Sequence, residues 1–140
     1  MAKKHPKPAE GMDLWPDYDL TGERPRTVRR VLLDAGYGLD EKTRGMVQFH
    51  VDSLPDERGV LAHTCYLIAS RIGYRYPLLK VVEHSTGGYP VNVVADVWPE
   101  GVLAGNEAEL LKDLGLVFRS DPAKKAVLNL IDVQDSSSQR

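Results

Sequence analysis

Three of the four histidines carry the most specific chemistry that this chain offers. His50, His63 and His84 fall in three successive strand-like runs, with Asp52 and Glu83 close by in sequence. Side chains opposed across paired strands lie about 4.5–5.5 Å apart at Cβ, near enough for imidazoles to share a metal ion. A register that sets His50 opposite His63, and His63 opposite His84, would align three imidazoles as a Zn²⁺ or Ni²⁺ site. Such a site would serve a small metal-dependent enzyme or a metal sensor. Register decides the matter, because a slip by one residue turns every side chain to the other face. A slipped pairing, with Phe49 opposite Cys65 and Val47 opposite Leu67, builds a comparable core. It buries His63 and leaves His50 outside.

Other catalytic constellations have thinner support. Cys65 is the one cysteine; it lies inside an expected strand, where a thiol is a small core filler rather than a low-pKa nucleophile. A lone cysteine also forbids an internal disulfide or a cysteine-only metal cage. The chain has no G-x-S-x-G elbow, H-E-x-x-H pair or phosphate-binding P-loop. Gly36-Tyr37-Gly38 follows a helix rather than a strand, the wrong context for a dinucleotide loop. Glu83 and His84 are strand neighbours and point to opposite faces, which argues against an acid–base dyad. Enzymatic activity is accordingly the less favoured reading.

Binding chemistry has better candidates. Arg71, Tyr74, Arg75 and Tyr76, followed by Lys80, combine cations with aromatic rings. That mixture suits a protein interface, where Tyr and Arg are enriched. Trp15 and Tyr18 add aromatic anchors within an otherwise polar N-terminal stretch. Single-stranded nucleic acid would use the same residue types. It is disfavoured by a formal net charge of −2, from 18 Lys and Arg against 20 Asp and Glu. The expected partner is therefore a protein, with a second copy of the chain foremost. A small ligand between sheet and helices stays open.

These residues need elements to position them. At 140 residues and 42% apolar composition, the chain can build one sizeable core. Residues 1–24, rich in proline and without a period, read as a flexible arm; 25–134 form the domain, and 135–140 a disordered tail. Within the domain, Val28, Val31, Leu32 and Ala35 follow helical spacing, with Gly36 as a stop. Arg26, Arg29 and Arg30 then fall on the solvated side. A short turn over about 39–44 follows.

Four strands are expected, over about 47–52, 60–70, 74–84 and 89–98, joined by short loops as an antiparallel meander. Asn106 with Glu109 opens a helix that ends at Gly115, and Asp121-Pro122 opens another with Ala123, Ala126, Val127, Leu130 and Ile131 buried. The expected class is thus α+β: an N-terminal helix, a four-stranded antiparallel β-meander and two C-terminal helices packed on one sheet face. A single-layer sheet with one uncovered, partly apolar face invites self-association through that face or an edge strand. No segment is apolar for long enough to span a bilayer as a helix, and no secretory signal opens the chain, so a cytoplasmic location is expected.

Overall fold

The computed structural model describes residues 14–22, 25–85 and 88–138. It is an α+β fold on a five-stranded antiparallel sheet, one strand more than the sequence reading expects. The strands are β1 (Val47–Pro55), β2 (Leu61–Ala69), β3 (Tyr74–Ser85), β4 (Gly88–Ala95) and β5 (Trp98–Ala104). They lie side by side in chain order. The run over 89–98 is in fact two elements, β4 and the start of β5, broken at Asp96-Val97. Proline has no amide to give to a ladder, so Pro90 suits an edge strand better than a central one. It sits on the internal strand β4, beside a register shift between Glu83 and Ser85 where the ladder is already interrupted.

Helix α1 (Val28–Ala35) precedes the sheet, followed by the single turn α2 (Leu39–Lys42). Thr27 caps α1 by accepting from the Arg30 amide at 3.1 Å, and the Gly36 amide closes the other end onto the Leu32 carbonyl. After β5 come α3 (Glu107–Phe118) and α4 (Asp121–Ser138). Asn106 caps α3 by accepting from the Glu109 amide at 2.9 Å, while the Glu109 carboxylate accepts from the Gly105 amide at 2.7 Å. Gly115 does not end this helix. The chain continues to Phe118 because Val117 is buried and the Phe118 ring stands edge-on to Phe49, with centroids 5.6 Å apart. The cap of α4 falls one residue earlier than expected: the Ser120 hydroxyl accepts from the Ala123 amide. At its far end α4 runs through Asp135, where the sequence suggests a tail, to Ser138.

The helices bury one face of the sheet. Val51, Cys65, Leu79, Val81, Val91, Val93 and Ala104 pack with Val28, Val31 and Leu32 of α1 and Leu110, Leu114 and Val117 of α3. A second cluster joins Val47, Leu67 and Ala69 to Ala126 and Leu130 of α4. Phe49 and Leu78 touch both clusters and mark the seam between them. Leu78 reaches the seam through a bulge. Cys65 pairs with Leu79 and Tyr66 with Pro77, which leaves Leu78 as the extra residue. Gln134 pins α4 in place: fully buried, it donates to the Met46 and Leu130 carbonyls and accepts from the Arg71 amide.

Candidate functional site

Ser53 of β1 faces His63 of β2 in a pairing that also sets Val47 opposite Ala69 and Phe49 opposite Leu67. The register lies two residues from the slipped pairing considered in the sequence and has the same parity. His63 therefore points to the helix-covered side. On β3, Val81 is its direct partner, and Glu83 stands two residues further along the same face. The result is a hydrogen-bonded line across three strands. Ser53 Oγ lies 2.6 Å from His63 Nδ1, and His63 Nε2 lies 2.6 Å from Glu83 Oε2. His63 is 1% exposed and Glu83 5% exposed.

Arg29 of α1 completes the line. Its Nη1 donates to Ser53 Oγ and to the Val51 carbonyl, each at 2.8 Å. Since arginine only donates, Ser53 accepts from it and has its own proton to give to His63 Nδ1. His63 then keeps a proton on Nε2 and donates it to the Glu83 carboxylate. In this assignment every donor has an acceptor.

The composition matches the serine, base and acid of a nucleophilic relay. The setting does not suit one. The base is sealed between two partners, and the guanidinium occupies an acceptor position on the would-be nucleophile. What the line does is hold α1 to β1 and fix β1, β2 and β3 in register. Arg26 extends the tether, reaching Asp34 at 3.1 Å and Glu107 of α3 at 2.7 Å. The Glu107 hydrogen bond, then that of Asp34, raises the Arg26 pKa further. Two of the three arginines read as solvated are thus structural ties. Behind them the Tyr89 hydroxyl is buried with no hydrogen-bond partner among the described residues, and burial raises its pKa, with Glu107 adding to the effect.

The three histidines are not brought together. His50 faces Tyr66 on the other side of the sheet, and His84 is exposed. The face-to-face pairing of His50 with His63, and of His63 with His84, is not the register of this sheet. Among the described residues no group of three or more His, Cys, Asp or Glu side chains is arranged to hold a metal ion. Cys65 is fully buried, and that burial pushes its thiol up to about 12.

On the uncovered face, His50 Nε2 lies 2.7 Å from Asp52, and Arg75 donates to Asp52 at 2.8 Å while stacking 4.4 Å from the centre of the Tyr66 ring. The His50 hydrogen bond, with help from Arg75, holds the Asp52 carboxyl below its ordinary value of 3.8. The other proposed contact residues are spread out. Tyr76 pairs with Leu67 on the covered face; Tyr74 and Arg71 are exposed at the β2–β3 turn. In the arm, Trp15 is 77% and Tyr18 63% exposed.

Across the same uncovered face runs a row of opposed residues: Leu54, Ala62, Val82, Asn92 and Leu103. Leu54 is 67% and Leu103 60% exposed. Neither leucine stood out in the sequence, because the row needs both the register and β5. No protein family, curated protein or solved structure matches this chain. Among the described residues no helix is long and apolar enough to cross a membrane.

Proposed function

We propose that this protein is a non-catalytic interaction module that self-associates through the uncovered face of its sheet. The row Leu54, Ala62, Val82 and Leu103 carries the proposal. It sets two exposed leucines, Leu54 and Leu103, at its ends, with half-exposed Ala62, Val82 and the polar Asn92 between them, across a sheet whose other face is covered by helices. Charges of both signs lie beside that row: Asp52 and Lys80 stand in the next cross-strand row, and Arg75 reaches over to Asp52. A surface with both signs beside an apolar strip can match itself about a two-fold axis, which favours a second copy as the partner. Pro99 and the positive-φ Gly101 on the edge strand β5 blunt backbone pairing there, and so favour the face over that edge.

Sedimentation velocity and native mass spectrometry of the parent chain, Val82→Glu and Leu103→Glu test this reading. The parent is expected to form dimers at micromolar concentration. Each glutamate variant should be monomeric with an unchanged circular dichroism spectrum. A parent that remains monomeric at high concentration, or variants that dimerise as the parent does, would overturn it.

A further inference from the structure

The seam between the two core clusters opens into a hollow of about 400 Å³, on the side of the sheet opposite the proposed self-association face. Its wall includes Phe49, Leu67, Leu78, Phe118 and Val127. Four of these, all but Leu67, keep part of their surface accessible although they lie in the middle of the helix-covered side. Apolar side chains left partly wet between packed helices are what a ligand pocket offers. The volume falls within the roughly 300–1,000 Å³ of small-molecule sites.

The rim supplies the polarity. Lys42 of α2 and Arg119, the residue that closes α3, both line the hollow, and both are exposed. Among the described residues neither makes an ion pair. Among the described residues no carboxylate lines this hollow. Asp40 and Glu41 belong to a neighbouring one of about 500 Å³, which shares Gly36, Tyr37, Gly38 and Phe49 with it. Tyr37, 90% exposed and flanked by two glycines, stands where both hollows open.

We infer that this hollow binds a small amphipathic anion, with an aliphatic chain laid against Phe49, Phe118 and Val127 and an anionic head between Lys42 and Arg119. The apolar wall takes a chain, and two cations that form no ion pair among the described residues take a head of opposite charge. The ligand class is thus a medium-chain carboxylate or its sulfate or phosphate equivalent.

Titration of the full chain with hexanoate, octanoate and decanoate, followed by calorimetry and amide chemical shifts, tests the inference. Each added methylene should tighten binding about fourfold, the equivalent of one buried CH₂. Shifts should centre on Phe49, Phe118 and Val127. The exposed-residue double variant Lys42→Ala/Arg119→Ala should weaken decanoate by about two- to thirtyfold, the loss of two surface ion pairs, and leave decanol unchanged. The inference is overturned by any of four results: no saturable binding, affinity independent of chain length, decanol binding as tightly as decanoate, or shifts that map to the uncovered sheet face.

Discussion

Glu83 gives the sharpest test of the buried hydrogen-bonded line. Replacing it with alanine removes the acceptor of His63 Nε2 at a position where the imidazole is 1% exposed and out of reach of water. A buried donor left unpaired costs about 1–3 kcal/mol. The lost methylene adds about 0.8 kcal/mol. Glu83→Ala should therefore destabilise the fold by about 2–4 kcal/mol, a large share of the 5–15 kcal/mol typical of a domain.

Glu83→Gln keeps the shape and a carbonyl acceptor for Nε2. It loses only the charge assistance, about 1 kcal/mol. Urea unfolding reads the difference directly. With a slope of about 2 kcal/mol per molar, the midpoint should fall by about 1–2 M for the alanine variant and about 0.5 M for glutamine. The double replacement His63→Leu/Glu83→Leu should recover most of the loss, because removing both partners leaves only the half-buried Ser53 hydroxyl, still met by Arg29, without its acceptor. Equal losses for alanine and glutamine, or additive costs in the double replacement, would refute the account of His63 as a donor to a buried carboxylate.

Two further outcomes are expected. Asp52 titrates below 3.8 in the folded state, so the stability it contributes is present in full above that value and lost as pH falls through the folded pKa. Asp52→Asn should accordingly unfold at lower urea than the parent at neutral pH, and the gap should close in acid below 3.8; a gap that persists there would sink the assignment. With Cys65 raised to about 12, thiolate at pH 8 is on the order of one molecule in ten thousand. Iodoacetamide should leave the native protein unlabelled and alkylate it fully in urea, and mass spectrometry will show whether native labelling occurs.

Much of the architecture is legible in the residues, for identifiable reasons. Helix α1 is visible because Val28, Val31 and Leu32 repeat at helical spacing against an arginine-bearing side, and α3 because Asn106 and Glu109 announce a cap. The first strand is visible because Val47, Phe49 and Val51 alternate with polar residues. Strand β5 is hidden by its own composition. Pro99 and Gly101 argue against a strand, and the Asp96-Val97 turn that precedes it has no glycine to mark it.

The site was half legible. His63 is recognisable as a histidine with two possible fates, but its neighbours depend on a register that local pattern leaves free within two residues. Ser53 carries no signal of its own. It acquires a role only because Val47 meets Ala69 and the ladder then carries Ser53 to His63. Arg29 is harder still, since a helix-surface arginine looks the same whether it meets water or a strand.

The Leu78 bulge has a consequence for how the chain can change length. In a regular strand, deleting one residue exchanges the two faces for everything beyond the cut. Here the ladder already counts Leu78 as surplus: Pro77 and Leu79 pair with consecutive residues of β2. Removing Leu78 would bring those neighbours together with Tyr76 still inward and Arg75 still outward. Strand β3 is thus a splice between two frames. At that point a one-residue deletion is compatible with the sheet, and its cost falls on the wall of the hollow that Leu78 helps to form.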